Sequence, residues 1–195
     1  MTSFTVGANL FLVFLAAGNA IECEVCSDRS SMDCSGELVT CDQTVESCST
    51  TMSEYNLEGM NPIYNVFKNC SGVEAENTLY MGAVKGGFYQ LRVEVCQTNG
   101  CNKEPLQFPP KNTTLNGVKC PTCEVDGDLS CGATEVLECF GEMTNCMYVA
   151  GTFRVSDAPP VQSAFRGCTS AESAEMFPVG LEDENIVTLI ISKGV

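Results

Sequence analysis

"CEVCSDRSSMDCSGELVTCDQTVESC", residues 23–48, sets five cysteines into one short polar run. Whether they are metal ligands, redox thiols or covalent staples decides the fold. Reading outward, the gaps from Cys23 run C-x2-C-x7-C-x6-C-x6-C-x21-C to Cys70, and those from Cys120 run C-x2-C-x7-C-x7-C-x6-C-x21-C to Cys168. The chain is therefore an internal repeat with one residue inserted in the second copy. The lead-in to the sixth cysteine recurs too, as Phe67-Lys68-Asn69-Cys70 and Phe165-Arg166-Gly167-Cys168.

The 195 residues include 14 Cys, no His and no Trp, and carry a net charge of -15. Without imidazole the usual serine and cysteine triads and most zinc hydrolase centres cannot be built. A strongly acidic chain also repels phosphate backbones, so no nucleic-acid partner is expected.

Residues 1–20, MTSFTVGANLFLVFLAAGNA, carry no charged side chain and hold an apolar run from Leu10 to Ala17 followed by small residues at Gly18 and Ala20. The run is too short to span a bilayer and is read as a secretory signal peptide cleaved before Ile21. Export settles the chemistry of the thiols, because an oxidising compartment turns closely spaced cysteines into disulfides. In a cytosolic chain the C-x2-C pairs Cys23/Cys26 and Cys120/Cys123 would instead read as zinc ligands or a redox couple. No metal or cofactor is expected here. Two modules this short and polar cannot bury a large core, and loop-closing bridges worth about 3 to 4 kcal/mol each supply the stability.

Turn residues punctuate short runs throughout, and no helical period is sustained, so the fold class is all-β. In Gly87–Cys96, GFYQLRVEVC, the residues Leu91, Val93 and Val95 share one face and Gln90, Arg92 and Glu94 the other, the pattern of a half-buried strand. Ile63–Asn69, Cys146–Val155 and Ile186–Ile191 are similar. Asn102–Lys119, rich in Pro, Asn and Thr, reads as a linker stiffened by Pro109-Pro110, and its Asn112-Thr113-Thr114 is a glycosylation sequon at Asn112. Asn69-Cys70-Ser71 fits the sequon formally but places a bridged cysteine at its centre.

The order C-x2-C, three further cysteines, Asn69-Cys70 and then Cys96-x4-Cys101-Asn102 resembles the urokinase-receptor/Ly-6 type of three-finger domain. Two copies behind a signal peptide resemble the gamma-type phospholipase A2 inhibitors and the sodefrin precursor-like proteins of the same group. The resemblance implies two tandem small disulfide-rich three-finger domains: residues 21–102, a linker 103–119, and residues 120–195, the second incomplete because no Cys-Cys or Cys-Asn follows Val187-Thr188-Leu189-Ile190-Ile191. It implies the pairs Cys23–Cys48, Cys26–Cys34, Cys41–Cys70, Cys96–Cys101, Cys120–Cys146, Cys123–Cys131 and Cys139–Cys168. One further family bridge has lost both partners in each copy. Assembly into a homo-oligomer is also what likeness to the gamma-type inhibitors implies.

Asp126-Gly127-Asp128 lacks the distal ligands of a calcium loop and reads as a fingertip turn, and Glu182-Asp183-Glu184 as a water-facing acidic run. Ile186–Ile191 is too brief for the tail of a lipid-anchored surface protein, so no membrane anchor is expected. Met52, Tyr55, Leu57, Met60, Ile63 and Tyr64 crowd the central finger of the first copy, and Met143, Met147, Tyr148, Phe153, Val155 and Val161 that of the second. Alternate members should fill the finger bases, leaving an apolar contact face with an acidic rim; Met52, Tyr55, Leu57, Met60, Tyr64, Met147, Tyr148 and Phe153 are its candidate residues. The expected activity is binding without chemistry of its own. The resemblance implies a secreted phospholipase A2 as partner, masked sterically, or alternatively a secreted pheromone-type signal acting on a cell-surface chemosensory receptor.

Overall fold

The computed structural model describes residues 20–71, 76–154, 159–171 and 185–195. Residues 1–19 of the leader expected over 1–20, Val155 and the acidic run 182–184 lie outside them. Eleven strands among the described residues join in one sheet: β1 Glu22–Asp28, β2 Glu37–Thr40, β3 Ser47–Leu57, β4 Ile63–Ser71, β5 Thr78–Val84, β6 Gly87–Cys96, β7 Leu115–Asp126, β8 Glu135–Phe140, β9 Asn145–Phe153, β10 Val161–Thr169 and β11 Asn185–Lys193. The pairings are antiparallel. Strands β1/β2, β3/β4 and β5/β6 make the three fingers of the first unit, and β7/β8 and β9/β10 the first two of the second. β11 lies against β9 as β6 lies against β3; Ser192 pairs with Cys146 where Cys96 pairs with Cys48.

Seven disulfides staple the bases of the fingers, and they are the same pairs that the resemblance implies: Cys23–Cys48, Cys26–Cys34, Cys41–Cys70, Cys96–Cys101, Cys120–Cys146, Cys123–Cys131 and Cys139–Cys168. Sulfur takes the place of a larger core. Ile21, Cys23, Cys41 and Cys48 form one buried cluster, backed by Val45, Cys70, Cys96 and Cys101. Asn102, in the 3-10 turn Cys101–Lys103, closes this palm. Its amide oxygen accepts from Glu24 N at 2.9 Å, and its Nδ2 donates to Glu24 O at 2.8 Å and to Ser49 O at 3.4 Å.

The two units are welded. The outer strand of the third finger, β5, would be an open sheet edge; instead β10 pairs with it, Cys168 opposite Ala83 and Thr169 opposite Gly82. Ser170 N donates to Met81 O at 2.9 Å, and Met81 N donates to Ser170 Oγ at 2.8 Å. On one face of this junction Ala83 and Phe88 of the first unit are buried with Cys120, Cys139, Met143, Cys146 and Cys168 of the second. On the other, Tyr80 and Leu91 pack with Met147, Val149 and Ala171.

Two readings of the sequence are corrected by this arrangement. Leu115–Lys119, assigned to the linker by composition, belongs to β7, because its backbone finds partners: Leu115 pairs with Phe140 and Lys119 with Glu138. Strand β6 is not open on its polar face, since Gln90 is buried together with Leu91. The reason is the segment that follows it. Pro105–Lys111 folds back over that face, burying Leu106 and receiving a hydrogen bond from the Arg92 guanidinium at Gln107 O.

Candidate functional site

That returning segment makes a groove. Its floor is one row across three paired strands, Tyr64 on β4, Glu54 on β3 and Gln90 on β6, with Asn56 beside it. Met32 and Asp33 from the tip of the first finger wall one side, and Pro105–Pro109 with Lys111 wall the other, around a cavity of about 520 Å³ open to solvent.

Each wall is held by a buried or stacked cation. Lys68, on β4 with a fully buried side chain, reaches Asp33 Oδ1 at 2.8 Å and Glu24 Oε2 at 3.0 Å, and donates to Lys103 O at 3.0 Å. Glu24 Oε1 accepts from Gly36 N at 3.1 Å, so one carboxylate and one ammonium tie the fingertip, the palm and the start of the linker together. Burial alone pulls the Lys68 ammonium down, but its hydrogen bonds to Asp33 and Glu24 and their charges hold its pKa above the ordinary value. Burial likewise pushes Glu24 up, yet the bonds from Lys68 and Gly36 and the Lys68 charge leave it below its usual range.

On the opposite wall Lys111 Nζ lies 3.3 Å from the centre of the Phe88 ring and 5.8 Å from that of Phe140. One ring belongs to each unit, so this cation bridges them. Burial lowers its pKa, and the charge of Glu54 opposes that shift in part. On the floor, Gln90 Nε2 donates to Glu54 Oε2. The groove thus offers carboxylates, amides, a phenol and apolar walls, and every cysteine among the described residues is bonded in a disulfide. The sulfurs gathered at Cys23, Cys41, Cys70 and at Cys120, Cys139, Cys168 are disulfide sulfurs, spent in covalent bonds.

The candidate contact residues do not form one face. Met52 and Met147 are buried, which corrects their reading as surface contacts. Met52 sits between Val66 and Arg92 on the face that the linker covers, and Met147 is consumed at the weld, where the Tyr80 hydroxyl lies 3.5 Å from its sulfur. Tyr55 is half-buried against Tyr89, ring centres 4.6 Å apart, and Phe153 is half-buried against Phe165 at 5.6 Å. Leu57 is half-buried at the end of β3. Tyr148 donates to Leu129 O at 3.0 Å and lies under the Arg166 guanidinium at 4.1 Å. Met60 stays 56% exposed at the tip of the second finger, and Tyr64 lines the groove. Asn112 is exposed, its Oδ1 accepting from Thr114 N at 3.1 Å. Asp126 ends β7, and Gly127 at φ 85° bends the chain after it, its amide donating to Gln162 O.

The groove itself was not foreseen. The apolar Leu106 and Phe108 inside a polar linker were its one signal, because a segment free in solvent has no use for them.

Comparison with known proteins gives three findings. The u-PAR/Ly-6 domain family matches residues 19–104 and again 116–186. Phospholipase A2 inhibitor NAI of Notechis ater is 26% identical over 148 residues, 73% of this chain and 71% of that protein, while Protein RoBo-1 of Rattus norvegicus is 34% identical over 58 residues, 30% of this chain and 23% of that protein. Mouse TEX101, in its crystal structure, aligns over 88% of this chain and 97% of its own at 15% identity with a TM-score of 0.40.

Proposed function

The chain belongs to the u-PAR/Ly-6 family of protein-binding domains, and from that premise we propose that it is a secreted inhibitor that covers the interfacial surface of a secreted phospholipase A2. The observation that carries the reading is the likeness to a phospholipase A2 inhibitor across 73% of the chain, a span too long for one unit. The physical account is steric. An enzyme that works on anionic lipid surfaces benefits from a basic, apolar contact face, and a partner of net charge -15 is steered to such a face and then stands between it and the membrane. The weld between the units supports this, since a rigid two-unit body keeps its contact geometry without an ordering cost on binding. Seven disulfides fit export into an oxidising compartment, and among the described residues no helix is long and apolar enough to cross a membrane.

The test is hydrolysis of anionic phospholipid vesicles by a basic secreted phospholipase A2, with the oxidised protein added in increasing ratio and the complex followed by light scattering. Inhibition that saturates with a defined complex is expected and should weaken as salt is raised. No inhibition and no complex at large molar excess removes the reading, and leaves receptor binding by a secreted signal as the function to pursue.

A further inference from the structure

We propose that the groove under the linker receives a lysine or arginine side chain of the partner, with Glu54 as its counter-ion and Tyr64 and Phe108 packing on its stem. The other charges around the groove are already committed. Lys68 is fully buried and bound to Glu24, Asp33 and Lys103 O. Arg92 is turned to Gln107 O and to Glu94 at 3.1 Å. Lys111 is stacked on Phe88 and Phe140. Asp33 is neutralised by Lys68. Glu54 is the least committed carboxylate of the groove: it feels the Lys111 charge without pairing to it, it takes a neutral amide bond from Gln90, and among the described residues it makes no ion pair.

A half-buried carboxylate in the floor of a cavity of about 520 Å³ that Tyr64 and Phe108 also line is suited to a cation with an apolar stem. The ring faces attract the charge and the aliphatic carbons fill the walls. An anion is disfavoured by Glu54 and by the net charge of -15. An apolar side chain would bury Glu54 with nothing to replace its water. Lys111 stands on the β6 side of the groove, over Phe88, whose partner across the ladder is Asn56.

This inference rests on the reading of the chain as a binding protein, and its test uses no phospholipase, so the two can fail separately. The probe is N-acetyl-arginine methylamide, titrated into the isotope-labelled protein, with N-acetyl-norleucine methylamide as the uncharged control. Saturable shifts are expected at the side-chain amides of Gln90 and Asn56 and at the Tyr64 ring, stronger at low salt. Glu54→Gln, which keeps an acceptor for Gln90, should weaken them about tenfold, the equivalent of one charge-assisted hydrogen bond. Asn56→Asp, which adds a second carboxylate beside the first, should strengthen them. The proposal is overturned if the shifts are absent, if the uncharged analogue reproduces them, if they fall elsewhere on the protein, or if both variants bind as the native chain does.

Discussion

Gly167 of β10 lies so close to Ala83 of β5 that a Cβ placed on it would fall 1.9 Å from the Ala83 carbonyl oxygen. The repeat gives this contact its meaning. In the first unit the corresponding residue is Asn69, exposed on β4 beside Cys70, where among the described residues no strand from the other unit pairs. Only the copy that welds needs the missing side chain. Gly167→Ala should therefore cost about 1–3 kcal/mol through overpacking against backbone, and should do so at the junction. Hydrogen exchange at the Met81 and Ser170 amides, which bridge β5 and β10, is the measurement. Both should exchange faster in the variant while amides of β3 keep their protection; unchanged exchange would mean that the strands have slack to spare.

The comparison of FKNC with FRGC shows how much was legible. Cysteine spacing carried the repeat, turn punctuation and alternating runs carried the all-β class, and the pairing followed from likeness to a family rather than from spacing. What could not be read was anything set by the meeting of distant segments. Met52 and Met147 carry a contact-surface composition, yet a methionine is equally at home under a linker or in a weld, and only the fold says which. Gln90 alternates as a solvent-facing residue should, and it is buried because Leu106 and Gln107, sixteen and seventeen positions later, return over it. Lys68 and Arg166 are equivalent in the repeat but differ in setting. Lys68 has Glu24 and Asp33, while the second copy has Pro121 and Ser130 at those places, and Arg166 turns to the Tyr148 ring and to Cys131 O instead.

Lys68 gives the first unit a stability plateau in pH. Glu24 is held below its ordinary value of 4.5, so its contribution is fully present above that value and is lost as pH falls through the lower, folded one. Lys68 is held above its ordinary value of 10.5, so its contribution is present below that value and is lost as pH rises through the higher, folded one. Denaturant unfolding across pH should show a flat top between these limits. Lys68→Met leaves Glu24 buried without its partner and should cost about 3–5 kcal/mol near neutrality, with the penalty shrinking in acid as Glu24 takes a proton. A penalty independent of pH would assign Lys68 a packing role alone.

Asn112 is the sequon to test in cells. It is exposed, lies outside any strand, and already folds its side chain back onto the Thr114 amide, whereas Asn69 sits within β4 next to a bridged cysteine. Expression in a secreting eukaryotic line should give a product that loses mass with an N-glycosidase. Asn112→Gln should abolish the shift and Asn69→Gln should leave it. A native product of unmodified mass would show the sequon unused.

Bridges should not be equal, and their ranking separates two contributions. Cys139–Cys168 closes a separation of 29 residues and Cys96–Cys101 one of 5, so loop entropy alone predicts losses of about 3.6 and about 2.2 kcal/mol, the short loop falling below the roughly 3 to 4 kcal/mol expected of each bridge from the sequence. Burial widens the gap. Cys139 and Cys168 are fully buried in the cluster that also holds Ala83 and Phe88 of the other unit, while Cys96 and Cys101 are half-buried at the palm. Replacing Cys139 and Cys168 together by Ala leaves a hole at the junction as well as a longer free loop, and should loosen β5 along with the second unit. The same exchange at Cys96 and Cys101 should loosen only the last finger of the first. Unfolding midpoints rank the two, and exchange at Met81 and Ser170 locates the damage. If the double Ala variant at Cys139 and Cys168 keeps those two amides protected, the units are joined by strand pairing alone and the sulfur cluster contributes nothing across the weld.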